Sequence, residues 1–444
     1  MSSRTYSSVV PFPPEVAWAW HERPGALRRL APPWLALGVV EEPTSLADGR
    51  AVFALPGGAR LAVQHRPESY QAGKRFADDA ANLACGLVGW RHERLFSASG
   101  PSSALVEDRV WSRAGSETLR QAFAYSHRQL AADLSSHARS ARPLSIALTG
   151  SSGLIGSELA AFLSSGGHKV LRLVRRPPAG PGERQWAPDE PAPELFSGVD
   201  AVVHLAGAPI GRRFTERHKS VVWESRVGPT ERLAEAAARA ARSGRGPSCF
   251  VCASAIGFYG YDRQGEVSEE NDQGEGFLAR LVAAWEAATA PAAAAGIRVV
   301  NVRTGIVQTP RGGALGLLYP AFLAGLGGRV GSGRQHMSWI GIDDLLDVYL
   351  LALLDARLAG PVNAVSPFPV TASEYARVLG AVLRRPAFFA LPARAAGWVL
   401  GDEGAREFAL ASQKVVPSVL QRLGHSFRYP ELPAALRHVL GRWE

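Results

Sequence analysis

A chain of 444 residues, 46% hydrophobic and 20% charged, is too long for one ordinary domain and apolar enough to build two cores. Its formal net charge of +9 comes from arginines scattered along the sequence, with Lys74, Lys169, Lys219 and Lys414 the only lysines, so no basic run marks a nucleic-acid surface. No stretch reaches the roughly 18 uninterrupted apolar residues of a membrane helix, and the opening residues, with Arg4, Pro11, Pro13, Pro14 and Glu15, lack a signal peptide's apolar run; the expectation is a cytoplasmic protein with no nucleic-acid partner and no membrane partner.

Over the first 142 residues, short alternating runs such as 51–55 and 61–65 are divided by turns rich in Pro and Gly, the pattern of antiparallel strands. Residues 118–138 then read as a long helix, and the polar stretch 139–143, closed by Pro143, reads as a linker. From Leu144 the rhythm changes. Apolar runs at 145–149, 169–174, 201–205, 248–254 and 298–303 alternate with helical segments at 155–165, 229–242 and 277–295, the signature of a parallel, doubly wound sheet. The second domain is expected over 143–444, with a helical C-terminal subdomain from about residue 365 broken at Pro386, Pro392, Pro417 and Pro430. Cys85, Cys249 and Cys252 are too few for a disulfide framework or a four-thiolate zinc site, and no metal is expected. Cys249 and Cys252 form a C-x-x-C, but positions three apart on a strand point to opposite faces, so the pair reads as buried structure.

The first run of the second domain leads into Gly150, Ser151, Ser152, Gly153, Leu154, Ile155 and Gly156, a G-x-x-G-x-x-G spacing between a strand and a helix. Gly150 permits the tight turn, Gly153 lets the backbone approach a pyrophosphate, and Gly156 lets the helix pack closely on the sheet. The helix N-terminus adds free N–H groups and a favourable dipole for phosphates. A nucleoside-triphosphate loop would end in Gly-Lys-Ser/Thr, and that lysine is missing. The spacing therefore predicts a dinucleotide site. At the end of the second strand, where NAD-specific sites place an acid against the ribose hydroxyls, this chain has Arg175 and Arg176, suited to a 2′-phosphate. NADP(H) is expected in preference to NAD(H). The run 201–205 ends in Leu205, Ala206 and Gly207, small enough to leave room for the cofactor, while His204 at the strand end is read as structural.

These segments resemble the extended, epimerase-like branch of the short-chain dehydrogenase/reductase superfamily. The run Ser254-Ala255-Ile256-Gly257-Phe258-Tyr259-Gly260, the strand end Arg303-Thr304-Gly305, and 331–340 with Asp343-Asp344 are similar to an uncharacterised subgroup labelled NAD-dependent epimerase/dehydratase family, or cell-division-inhibitor-like by an older label. The tail from Gly360 to Pro430 resembles that subgroup's small C-terminal domain. The resemblance covers about 300 residues; it implies that Arg303 joins the cofactor site and that Arg334, His336 and Trp339 line a substrate pocket. In the first domain, Trp18-Ala19-Trp20-His21, residues 30–34 and Trp90-Arg91-His92 resemble the START-like, polyketide-cyclase-like fold, in which a curved sheet grips a long helix around an apolar cavity. That implies an apolar ligand in the first domain; the alternative is a structural or dimerising domain. The expected fold class is α/β: a Rossmann-type doubly wound parallel sheet with a small C-terminal substrate-side domain, preceded by an α+β helix-grip (START-like) domain.

The superfamily's proton-transfer pair, Tyr-x-x-x-Lys, is absent. Counting back from Glu286, which resembles the glutamate trailing that motif, the pair falls on Leu278 and Val282, and neither can transfer a proton. Ser254 and Tyr259 are the candidate catalytic substitutes, with Arg280 a further candidate for holding an anionic substrate. One reading is an NADP(H)-dependent oxidoreductase or epimerase acting on a small polar, sugar-like molecule. The other is a non-catalytic, NADP(H)-binding redox sensor with a ligand-binding N-terminal domain.

Overall fold

Two compact units divide the chain in a computed structural model that describes residues 3–443. The first comprises Met1–Pro143 with Glu158–His168 and His438–Glu444; the second comprises Leu144–Ser157 with Lys169–Arg437.

In the first unit seven strands form one antiparallel sheet: β1 (Ser3–Val10), β2 (Gly38–Glu41), β3 (Arg50–Ala54), β4 (Arg60–His65), β5 (Arg75–Ala80), β6 (Arg91–Gly100) and β7 (Ser103–Trp111). Their order is β1-β7-β6-β5-β4-β3-β2, so the unit's first strand pairs with its last. Helices α1 (Pro14–His21) and α2 (Ala26–Leu30) follow β1, α3 (Leu83–Val88) precedes β6, and the 22-residue α4 (Ser116–His137) follows β7. Helical spacing puts Leu119, Phe123, Leu130 and Leu134 of α4 on its buried side. Leu130 and Leu134 join Trp18, Trp20, Phe76, Phe96 and Val106 in one core.

Strand parity puts charge on this inner face as well. Buried positions alternate along β7 as Ala104, Val106, Asp108 and Val110, and along β6 as His92, Arg94 and Phe96. Register then sets Asp78 opposite His92 and Arg94 opposite Asp108. His92 donates from both ring nitrogens, to Asp78 at 2.9 Å and Asp108 at 2.7 Å. Arg94 grips Asp108 through Nε at 2.6 Å and Nη2 at 2.9 Å, while His127 of α4 reaches the same carboxylate at 2.5 Å. His21 Nε2 accepts from Arg94 Nη1 at 2.7 Å. Burial works against charge on His92, but Asp78 and Asp108 outweigh it and push its pKa up to about 9. Burial would likewise raise Asp108; Arg94, His127 and His92 hold it well below the usual carboxylate range instead.

The second unit is built on an all-parallel sheet of β8 (Ser145–Thr149), β9 (Lys169–Val174), β10 (Glu183–Gln185), β11 (Ala201–His204), β12 (Cys249–Ala255), β13 (Arg298–Thr304) and β14 (Gly360–Ala364). The order β10-β9-β8-β11-β12-β13-β14 reverses direction at β8, so a crevice opens between the carboxyl ends of β8 and β11, where open α/β sheets bind their ligands. Helices α5 (Leu154–Ser165), α6 (Glu216–Glu224), α7 (Val227–Arg242) and α8 (Phe277–Ala287) lie between these strands in sequence. The single helix expected over 277–295 is two: α8 ends before Thr289, whose Oγ1 donates to Glu286 O at 2.7 Å, and a separate turn of helix, Ala290–Ala294, restarts with Pro291 in its first turn. In the C-terminal part, α9 (Ile342–Leu354) and α10 (Ala393–Gly404) are separated by a further helix, Ala372–Leu383, and by two- to five-residue strands, more strand than the sequence suggests. Burial pushes the thiol of Cys249 up to about 11 and that of Cys252 higher still, which leaves both protonated inside β12. No helix among the described residues is long and apolar enough to cross a membrane.

Candidate functional site

Gly150 and Gly156, at the two ends of the turn after β8, are held to their residue type by contact. Gly150 has φ +67°, and a Cβ there would lie 2.8 Å from the carbonyl of Leu205 and 2.9 Å from Ala206 N. A Cβ on Gly156 would lie 2.1 Å from Gly150 O, so α5 is able to start flush against the turn only with glycine there. Ser152 and Gly153 are exposed at the tip, where Gly153 N donates back to Gly150 O at 2.9 Å. Leu154 and Ile155 begin α5, half-buried. Across the crevice, Thr149 Oγ1 accepts from Leu205 N at 3.1 Å and Ala206 N at 3.3 Å, which ties the two loops into one floor with Gly207 exposed beside them. A backbone arc at a helix N-terminus, with room that any side chain would fill, fits a dinucleotide pyrophosphate.

His204 is fully buried, paired with Thr149 Oγ1 at 2.7 Å and Thr230 Oγ1 at 3.0 Å. Burial, helped by the nearby Arg226, lowers its pKa to about 3, so it stays neutral and internal. The two arginines at the end of β9 separate. Arg176 is bound by the Glu183 carboxylate through two bonds of 2.8 and 2.7 Å, whereas Arg175 is exposed with no partner among the described residues.

Ser254, Tyr259 and Arg303 meet in a single buried network. Ala253 and Ala255 are half-buried and Ser254 is buried between them, because strand parity turns its side chain toward α8. Its hydroxyl donates to Glu286 Oε1 at 2.5 Å. Arg303, at the same register on β13, holds both oxygens of Glu286 at 2.8 Å and donates through Nη1 to the Tyr259 hydroxyl at 2.9 Å. Tyr259 in turn donates to Asn363 Oδ1 at 2.7 Å and is 1% exposed. Burial raises the Tyr259 pKa, partly offset by Arg303, which makes the phenol a weaker acid than a free one. The expectation that Arg303 faces the cofactor therefore gives way to an internal role, since its guanidinium is taken up by Glu286 and Tyr259 and covered by the Phe258 ring at 3.5 Å.

The residues expected to line a substrate pocket differ in exposure. Arg334 is exposed, and His336 is half-buried in a two-residue strand paired with Val370–Thr371. Trp339 is fully buried and donates Nε1 to Phe368 O at 3.0 Å, in a strand paired with Ile306–Gln308; it belongs to the core and not to a pocket wall. A cleft of about 460 Å³ lies elsewhere, lined by Tyr261, Phe277, Arg280, Glu403, Arg406 and Glu407 among others. Arg406 lies 5.0 Å from the Tyr261 ring, Glu403 is held by Lys219 at 2.9 Å, and neither Arg280 nor Arg406 has an acidic partner among the described residues. Glu407, 6% exposed, accepts from Phe277 N at 3.0 Å and Leu278 N at 2.9 Å and so closes the N-terminus of α8. The sequence offered no sign of Tyr261, Arg406 or Glu407, since no spacing links residues 130 positions apart.

The model of the NAD dependent epimerase/dehydratase family matches residues 146–364, and a domain of unknown function, DUF1731, matches residues 391–439. An epimerase family protein of Mycobacterium bovis, Mb2239, is 42% identical over 303 residues, covering 67% of this chain and 98% of that protein. The epimerase family protein SDR39U1 of Homo sapiens is 36% identical over 295 residues, covering 66% of this chain and 98% of that protein. Among solved structures, one described as the nucleoside-diphosphate sugar epimerase from Corynebacterium glutamicum is 40% identical with a TM-score of 0.86, over 99% of this chain and 90% of that one. Human SDR39U1 (isoform 2), solved with NADPH, is 32% identical with a TM-score of 0.61, over 68% of this chain and 100% of that one.

Proposed function

The chain belongs to the NAD dependent epimerase/dehydratase family, and from that footing we propose that it binds NADP(H) at the turn of residues 150–156 and acts as an oxidoreductase or epimerase on a small polar, sugar-like substrate. The observation that carries the reading is the floor formed by Gly150, Leu205 and Ala206, where a Cβ at Gly150 would collide with backbone across the crevice. When bound, the nicotinamide supplies hydride transfer. Arg175, free at the end of β9, is the residue for a 2′-phosphate; Arg176 is left to Glu183. The human relative solved with NADPH supports the same choice of cofactor.

On the substrate side, the cleft at the start of α8 brings the unpaired guanidinium groups of Arg280 and Arg406 together with the Tyr261 phenol, a set suited to a polar molecule with an anionic substituent. The description of the Corynebacterium relative as a nucleoside-diphosphate sugar epimerase points the same way. Ser254 and Tyr259 serve in this reading to hold the edge of β12 through Glu286 and Asn363, since each already donates its proton to an internal acceptor. For the N-terminal unit we propose a helix-grip, START-like fold whose inner face is a structural charged cluster instead of an apolar ligand cavity; the strand order and the placement of Asp78, His92, Arg94 and Asp108 support it.

A second reading, an NADP(H)-binding redox sensor, is favoured by one observation: Leu278 and Val282 are 8% and 2% exposed, packed as core at the positions where the superfamily has its proton-transfer pair. The discriminating experiment is to add a small-molecule extract of the source cells to protein-bound NADPH and follow oxidation. Oxidation by the wild type that Gly153→Asp abolishes establishes the enzyme. Tight NADPH binding with no oxidation by any fraction of the extract favours the sensor.

A further inference from the structure

Arg29, Arg94 and Arg303 are buried, and each is paired with a carboxylate: Asp133 at 2.8 Å, Asp108 at 2.6 Å and Glu286 at 2.8 Å. Arg226, 7% exposed, is the exception, with no carboxylate in ion-pair range among the described residues. Its Nη2 donates to Ala208 O at 2.9 Å and its Nη1 to Val222 O at 3.2 Å and Ser225 Oγ at 3.3 Å, while Nε is buried with no acceptor. The guanidinium carbon lies 5.1 Å from the Trp285 ring. Burial lowers the pKa to about 10, which still leaves the group charged at neutral pH. A buried cation whose charge is met only by carbonyl and ring dipoles is costly, and such charges are ordinarily paired.

Its position supplies the reason. Arg226 lies directly against Gly207: a Cβ there would be 2.9 Å from the guanidinium carbon, so glycine is what admits the cation to this strip of chain. The other end of the strip, Leu205 and Ala206, abuts Gly150. One strip of backbone thus has the glycine turn of the dinucleotide site on one side and an unmatched positive charge on the other. That field is already felt at His204, whose protonation it opposes.

We propose that Arg226 is the buried counter-charge for the pyrophosphate of the dinucleotide, adding a full positive charge to the partial one at the N-terminus of α5. The proposal rests on the NADP(H) reading. It makes Arg226 a cofactor-binding residue that serves NADPH and NADH alike, because the pyrophosphate is common to both.

The test is a fluorescence titration of the full-length chain with NADPH and with NADH, comparing wild type with R226K and R226Q. Thermal melts of the cofactor-free variants check their folding. R226Q is expected to weaken both cofactors by the same factor, on the order of tenfold, and R226K to stay within about threefold of wild type because the charge remains. R226M, which fills similar volume without charge, takes the place of R226Q if the latter does not fold. Wild-type affinity for both cofactors in the neutral variant overturns the proposal. So does a loss confined to NADPH, which would put the charge on the 2′-phosphate instead. Failure of the wild type to bind either cofactor overturns the cofactor reading itself, and this inference with it.

Discussion

The carboxylate of Glu407 caps Leu278, accepting its backbone N–H at 2.9 Å, and so occupies the positive end of α8, the helix on which the superfamily resemblance would place a proton-transfer pair. A Cβ at Gly276 would come within 2.7 Å of that carboxylate, so the residue before the helix is shaped by its cap. No side chain of the preceding segment caps α8; the task is done from the turn 405–409. Glu407→Ala is expected to cost about 1–2 kcal/mol in urea unfolding. Glu407→Gln should recover part of that, because an amide oxygen still accepts one bond. Unchanged stability in both variants would mean that water replaces the cap without cost.

The two arginines after β9 should differ. Arg175→Gln is expected to weaken NADPH by roughly tenfold while leaving NADH unaffected, since only NADPH has the 2′-phosphate. Arg176→Gln should change neither by more than about twofold, its guanidinium already being committed to Glu183 at 2.7 Å. A pair of titrations for each variant checks this, and a larger loss in the Arg176 variant would reverse the assignment.

Tyr259→Phe removes one hydrogen bond to Arg303 and one to Asn363 without opening a cavity. The expected result is a loss of about 1–3 kcal/mol in stability with NADPH affinity unchanged. Turnover, once a substrate is found, should persist. Loss of turnover at full stability and full NADPH affinity would return Tyr259 to the reaction.

The charged row of the N-terminal unit makes stability depend on pH in both directions. His92 has its pKa raised from 6.5 to about 9, so its contribution is complete below 6.5 and is lost as pH rises through 9. For His21, burial followed by Arg94 lowers the pKa to about 3. Its contribution is therefore complete above 6.5 and is lost as pH falls toward 3. Thermal melts from pH 4 to pH 10 should give a maximum near neutrality with an alkaline decline that His92→Gln flattens. An alkaline limb identical in wild type and variant would show that His92 is not charged in the folded state.

Much of the fold is legible in the sequence because it rests on local rules. The apolar runs at 145–149, 169–174 and 201–205 become β8, β9 and β11, and the glycine spacing marks the turn after β8. Strand parity, which separates Cys249 from Cys252, also predicts that Ser254 and its neighbours Ala253 and Ala255 face opposite ways. Which of those faces looks into the crevice is not a local property: it depends on α8 laying Glu286 against one of them. Trp339 misleads for a similar reason. A tryptophan after a glycine-rich loop suggests a pocket wall, but pairing with Ile306–Gln308 draws it wholly inside. The acids of the first domain are the hardest to foresee, since only strand register sets Asp78 against His92 and Asp108 against Arg94. Glu407 and Arg226 act through partners that only the folded chain brings near.

The cross-strand charges of the first unit also bear on how it comes apart. Asp108 is shared by His92, Arg94 and His127, which sit on β6 and α4, and His92 carries the tie on to Asp78 of β5. Pulling out any one of these elements strands an ion in the interior, at a cost of several kcal/mol. The edge strand β2 and its neighbour β3 lie outside this circuit and are free to fray, whereas β5, β6, β7 and α4 must open together. In hydrogen exchange their amides should therefore fall into one slow cooperative class, so that a domain built from many short strands unfolds as though it had a single seam.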